Sequence, residues 1–184
     1  MTLRNQLVLA SSLAVLTAAW MAHARLVDAG DLDVGFLAVG PAGMKIRGSA
    51  PSLKANEQDK KIKVTVPVTN LETGIKLRNK HLRRYLEADK FPNATLVVGR
   101  GKLKFPEGEQ SVEARATGDF TLHGVTKPLA FTYRAKRTGS DYHVQALADI
   151  DIRNFKVEVP CYLGVCVEPN IKLKVKFKLR EAAD

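Results

Sequence analysis

The stretch NIKLKVKFKLR, residues 170–180, alternates almost without exception: Ile171, Leu173, Val175, Phe177 and Leu179 point one way, Lys172, Lys174, Lys176, Lys178 and Arg180 the other. A side-chain period of two is that of a β-strand with one face in water and one face away from it. What lies behind the apolar face decides both fold and function.

The same period recurs along the chain. DVGFLAV and MKIRGSA are separated by Gly40-Pro41-Ala42-Gly43, and KKIKVTVPV follows, with Ile62, Val64, Val66 and Val68 on one face. Pro67 falls on the other face and marks an edge or bulge, because it cannot donate to a ladder. ATLVVGRGKLKF (94–105), SVEARATGDFTL (111–122), KPLAFTYRAKR (127–137) and YHVQALADIDI (142–152) continue the series. With the closing run, about eight strands are predicted. FPEGEQ and RTGSD carry hairpin signals, and HGVTKP (123–128) reads as a tight connection punctuated by Gly124 and Pro128. One segment departs from alternation: Leu82, Tyr85 and Leu86 stand at helical spacing before Pro92, which predicts a single basic helix over about 76–88.

Eight mostly antiparallel strands can close as a barrel or stack as a sandwich. A barrel of about that size has room for one small ligand. Many inward positions are small or medium, among them Val64, Val66, Val68, Ala116, Gly118 and Ala146, and aromatic residues make up only 7% of the chain. A transmembrane barrel is disfavoured by the lack of aromatic girdles, by the charged helical insert, and by a lumen too small for so many lysines.

The chain opens with one charge, Arg4, then an apolar run from Leu7 to Met21 and the small-x-small triplet Ala22-His23-Ala24. Residues 1–24 read as a signal peptide, since the apolar run falls short of the roughly 20 residues a spanning helix needs. The remainder, 25–184, is the size of one domain, and no linker or repeat divides it. Lys and Arg number 29 against 19 Asp and Glu, a formal net charge of +10 from which the leader would remove only Arg4. Such a surface attracts anions. In an exported protein, anionic lipid or a phosphorylated ligand is a more natural partner than nucleic acid. The lysines of 172–178 are expected to solubilise an outer wall, with docking to an anionic membrane as a second role.

Cys161 and Cys166 both lie in the expected mature part. Five residues run straight would part their Cα atoms by roughly 17 Å, whereas a disulfide needs about 4.4–6.8 Å. Gly164 in CYLGVC permits the necessary turn, and a structural disulfide is favoured over two free thiols. The spacing is neither C-x-x-C nor C-x-x-C-H, and no His is near in sequence, so a metal or redox pair is disfavoured. The histidines outside the leader, His81, His123 and His143, join no H-E-x-x-H, no G-x-S-x-G and no phosphate loop. The chain is expected to be a binding protein, not an enzyme, with no metal.

Three motifs then stand in order: NLETGIKLRNKHLRRYLEADKFPNATL, GDFTLHGVTKPLAFTYRA and ADIDIRNFKVEVPCYLGVCVEPNIKLKVKFKL. Together they resemble the YceI-like family of exported polyisoprenoid-binding proteins, over about Asp31 to Leu179. The resemblance implies an antiparallel, lipocalin-like β-barrel whose interior holds an isoprenoid chain, such as a polyprenyl phosphate or an isoprenoid quinone, and no other cofactor. The family's T-G-x-x-x-R-[DN]-x-H-L-R stretch falls on Thr73, Gly74, Arg78, Asn79, His81, Leu82 and Arg83. Its L-H-G-V-T-[KR]-P turn spans Leu122 to Pro128, and its late R-x-F segment is Arg153-Asn154-Phe155. The family's first-strand His is missing from DVGFLAVGPAGMKIRG, and the cysteine pair lies outside the family pattern.

On that basis the expected pocket wall is Val64, Val66, Phe120, Phe131, Leu147, Leu173, Val175 and Phe177. Arg78, His81 and Arg153 are the head-group candidates, Arg78 and Arg153 because both fall in the motifs. His123 is more readily a turn-fixing hydrogen-bonding group than a ligand contact. Burial of apolar carbon is worth about 0.8 kcal/mol per CH₂, so the wall should carry affinity and the polar groups orientation. The alternative is a barrel with a filled core, whose basic surface serves as a scaffold for an anionic partner.

Overall fold

The computed structural model describes residues 24–30, 32–162 and 164–182, so the expected leader falls almost wholly outside the described residues. The strands are β1 (Arg25–Asp28), β2 (Asp33–Val39), β3 (Lys45–Ala50), β4 (Lys54–Gln58), β5 (Lys61–Pro67), β6 (Asn93–Gly99) and β7 (Ser111–Leu122). There follow β8 (Val125–Thr138), β9 (Asp141–Asp151), the two-residue pair β10 (Cys161–Tyr162) and β11 (Val165–Cys166), and β12 (Asn170–Ala182). One helix, α1 (Lys76–Tyr85), is inserted between β5 and β6.

Ten strands form one curled antiparallel sheet in the order β3-β2-β12-β9-β8-β7-β6-β5-β4, with β1 added beside β12. β12, the strand of the alternating run, holds the sheet together. Along one edge it pairs with β9 from Asn170↔Asp151 to Arg180↔Asp141. Its other edge is shared between β2, at Lys172–Lys176, and β1, at Leu179–Ala182.

The curl closes where β1 meets β4, and two carboxylates make that seam. Asp28 Oδ2 accepts the Ala55 amide at 3.3 Å and Glu57 Oε2 accepts the Leu26 amide at 3.2 Å. Glu57 points inward from β4, is nearly fully buried, and pairs with the guanidinium of Arg100. Side-chain acceptors thus satisfy main-chain donors that a regular ladder would otherwise pair.

β6 and β7 pair only over Thr95–Val97 and Asp119–Thr121. Beyond that the sheet splays, and the segment carrying Leu103 and Phe105 fills the gap, packed against the core. The Tyr133 hydroxyl fixes this plug, donating to the Lys104 carbonyl at 3.0 Å and accepting the Lys104 amide at 2.6 Å. At Gly118 a Cβ would stand 2.6 Å from Val98 Cγ2 and 2.8 Å from the Val97 carbonyl oxygen. Gly118→Ala should therefore lower stability by about 1–3 kcal/mol through overpacking, read as a fall in the denaturant midpoint at unchanged slope.

The HGVTKP connection is a two-residue hairpin loop, His123-Gly124, with φ of 51° and 72°. Positive φ at both positions matches the right-handed twist of the flanking strands. Pro128 lies inside β8, where the edge toward β9 is unpaired because that ladder begins only at Thr132. α1 ends three residues earlier than the spacing predicts: Glu87 takes φ 43°, and the chain turns out of the helix there.

Candidate functional site

The inward face of β12 changes character along its length. Phe177 and Leu179 are buried, while Ile171, Leu173 and Val175, of the same parity, are only partly buried. Val64, Val66, Ala94 and Leu96, facing them from β5 and β6, behave alike. Inward residues that stay accessible must border open space, and they do.

An outer cavity of about 520 Å³ lies between the sheet, α1 and the β10–β11 hairpin. Its size falls within the usual range of roughly 300–1,000 Å³ for small-molecule sites. An inner chamber of about 140 Å³ continues toward the plug segment. Both are bordered by Val66, Ala94, Phe120, Leu173 and Val175, which form a waist between them. The inner chamber is apolar, and its two tyrosines have bonded hydroxyls: Tyr133 on Lys104, and Tyr142 donating to Glu181 Oε1 at 2.6 Å. Burial pushes the Tyr142 phenol up, and the Glu181 carboxylate adds to the shift. Such a chamber offers an occupant no free polar partner, which suits hydrocarbon.

Polar groups gather at the other end. Thr73, Arg78, His81 and Arg84 border the outer cavity from α1 and the loop before it. Arg78, His81, Leu82 and Tyr85 stand at i, i+3, i+4 and i+7, so a single helical face covers the opening. Local hydrogen bonds position that face. Asn79, buried, accepts from the Thr73 amide at 2.8 Å and the Thr73 hydroxyl at 2.6 Å, and donates to Glu72 Oε2. Arg78 donates through Nε to Thr73 Oγ1 at 3.0 Å and through Nη2 to the Thr73 carbonyl at 2.9 Å. The threonine, arginine and asparagine of this motif thus brace the helix start, and Arg78 has donors left over for the cavity side.

Of the expected wall, Val66, Phe120, Leu173 and Val175 stand at the waist, while Val64, Phe131 and Phe177 border the inner chamber. Leu147 borders the inner chamber too, although it has the outward parity of Gln145 and Asp149 and is 47% exposed; Ala146 and Ala148 are the inward residues of β9 on either side of it. Arg153 is corrected as a head-group candidate. It lies outside the cavity lining and forks onto Asp151, with Nη2 to Oδ2 at 2.6 Å, and this guanidinium holds the Asp151 carboxyl below the usual carboxylate range. The R-x-F segment instead contributes Phe155, whose ring meets Phe120 edge-on at 5.4 Å. His123 stands away from the cavity lining, with Nδ1 3.1 Å from the Phe155 carbonyl oxygen.

Cys161 and Cys166 are directly opposite in the β10–β11 ladder and are disulfide-bonded. Cys161 and Val165 border the outer cavity, so the bridge braces one lip of the opening. Arg84 and Met44 also border it, and only Arg84 had a sequence signal, its place in the basic helix. Among the described residues no group of three or more His, Cys, Asp or Glu is arranged to hold a metal ion.

A family model for the YceI-like domain matches residues 28–179. A UPF0312 protein of Photorhabdus laumondii is 35% identical over 96 residues, 51% of this chain and 47% of that protein. Protein YceI of Shigella flexneri is 36% identical over 83 residues, 44% of this chain and 40% of the relative. The chain thus spans about half the length or less of the curated relatives it matches. Among solved structures, a polyisoprenoid binding domain from Saccharophagus degradans, implicated in plant cell wall breakdown, superposes with a TM-score of 0.75 at 13% identity, covering 87% of this chain and all of that one. Burkholderia cenocepacia BcnA gives 0.64 at 15% identity, over 80% of this chain and 95% of the other. At such identities the likeness is one of fold.

Proposed function

The chain belongs to the YceI-like family, and from that premise we propose that it binds an isoprenoid lipid, with the tail in the two apolar chambers and the head at α1. The observation that carries this reading is the accessible inward face of β5, β6 and β12 around a cavity of about 520 Å³. The polyisoprenoid-binding relative of like fold supports the ligand class. A filled core would have buried that face, so the scaffold reading is not favoured.

A tail-first arrangement follows from the chemistry of the walls. Each five-carbon isoprene unit offers a few kcal/mol at about 0.8 kcal/mol per CH₂, against a cost of roughly 4–15 kcal/mol for lost freedom. Several units suffice without a salt bridge. Arg78, His81 and Arg84 would then orient a polyprenyl phosphate or a quinone ring, with Arg forks favouring the phosphate. Residues 1–24 act as a signal peptide and 25–184 as the exported domain, working in the periplasm or outside the cell. The Cys161–Cys166 bond suits such an oxidising compartment.

Titration of delipidated protein with a short-chain isoprenoid phosphate and a short-chain isoprenoid quinone, followed by co-migration on gel filtration, tests the reading. Saturable binding of either supports it, and the tighter ligand names the head-group class. Binding of neither refutes it.

A further inference from the structure

Five large apolar side chains are half exposed or nearly so among the described residues: Met44, Ile75, Leu77, Val165 and Leu147. Two of these border the cavity opening and two more lie on the segment that covers it. Met44 and Val165 border it directly, from the β2–β3 connection and the disulfide hairpin. Leu77 lies on α1 beside His81 and Arg84, at i+4 and i+7, and Ile75 is the residue that precedes the helix.

Two cations, Arg78 and Arg84, border the same opening, and others stand on the elements that frame it. α1 carries Lys76, Arg78, Lys80, Arg83 and Arg84 with no carboxylate, and Lys45 and Arg47 stand exposed on β3 next to Met44. Among the described residues none of these seven is held in an ion pair; Arg84 lies over the Tyr85 ring. The lysines of β12 contrast with them. Lys172, Lys176 and Lys178 meet Asp149, Asp33 and Asp141 at 3.4, 3.8 and 3.7 Å, so three of that wall's four lysines have a carboxylate partner, in keeping with the solubilising outer wall the sequence predicts. Carboxylates also flank cavity-lining residues: Glu72, engaged by Asn79, Glu87, paired with Lys90, Asp151, paired with Arg153, and Glu158 and Glu168 at the stem of the hairpin.

We infer that this rim is a docking surface for a bilayer with anionic headgroups, on which Met44, Ile75, Leu77 and Val165 enter the headgroup region while the helix cations meet lipid phosphates. Apolar side chains ringed by lysine and arginine are the composition of interfacial membrane contacts, and juxtaposed cations add attraction that salt screens. Docked this way, the cavity opens directly onto the membrane. A lipid could then exchange without its tail crossing water. Docking rests on the lipid-binding reading and deepens it by naming where the ligand passes.

The test is sedimentation with vesicles of phosphatidylethanolamine and phosphatidylglycerol, set beside neutral phosphatidylcholine vesicles. Wild-type protein should pellet with the anionic vesicles and release as salt rises. Leu77→Glu with Val165→Glu should weaken binding by roughly tenfold or more, whereas Thr132→Glu, exposed on β8 and outside both cavity linings, should leave it unchanged. Lys80→Ala with Arg84→Ala, which adds no charge to an apolar site, should weaken binding and flatten its salt dependence. Equal binding by parent and rim variants, a loss confined to Thr132→Glu, or no vesicle binding at all would overturn the inference. Isoprenoid titration of the same proteins separates the two ideas: uptake without rim-dependent docking removes the docking surface alone, and rim-dependent docking without uptake removes the lipid reading alone.

Discussion

Val175→Phe should cut isoprenoid affinity on the order of a hundredfold while the protein stays folded. Val175 borders both chambers, so a ring at that place would close the waist and shorten the tail that fits. Displacing four or five buried carbons at about 0.8 kcal/mol each forfeits 3–4 kcal/mol, and every 1.4 kcal/mol is tenfold. Val175→Asp should act in the same direction through the cost of seating a carboxylate among apolar side chains. Arg84→Ala should cost far less, since it touches only the head, and Arg153→Ala should cost nothing, since that guanidinium belongs to Asp151. Equilibrium titration of the four variants, with thermal melts to verify folding, checks the ranking. A larger loss at Arg84 than at Val175 would mean that the head, and not the tail, supplies the affinity.

Glu57→Ala should destabilise the fold by about 3–5 kcal/mol, the usual consequence of leaving one partner of a buried ion pair uncompensated. Arg100 would remain at the seam without its carboxylate, and the Leu26 amide would lose its acceptor. Glu57→Gln should recover part of the loss, because an amide oxygen can still accept from Leu26 but cannot neutralise Arg100. The double replacement Glu57→Leu with Arg100→Met should recover more, since it removes the buried carboxylate together with its partly buried partner. Urea titrations read the series. A cost under about 1 kcal/mol for Glu57→Ala would show that the strand ladders hold the curl closed without the seam.

This seam also explains what the sequence concealed. Long strands with one wet face were legible because alternation over eleven or more residues leaves no second reading, as in β7, β8, β9 and β12. β4, KANEQ, escaped because its inward residues are Ala55 and Glu57, and a buried glutamate reads as an outward one. β1 is four residues long and pairs with the far end of β12, a partner that no local pattern announces. The run 94–105 is apolar enough for one long strand, yet it breaks at Arg100 and folds inward as the plug held by Tyr133. At the site, period two picked out the waist residues, whereas Leu147 borders the inner chamber from a position of outward parity, which alternation alone does not foretell. Arg153 shares a motif with cavity residues but is claimed locally by the aspartate two positions before it. A motif marks residues that serve the fold together. It does not separate those that meet a ligand from those that, like Asn79, hold the helix that does.

The central claim, that the space behind the alternating face of β12 belongs to an isoprenoid, is tested most directly by extracting the protein with organic solvent after purification from the periplasm of a bacterial host. Mass spectrometry of that extract should find an isoprenoid lipid at close to one per chain, and Val175→Phe should bring it down. An extract free of isoprenoid from folded wild-type protein, and still free of it after incubation with polyprenyl phosphates and isoprenoid quinones, would contradict the account.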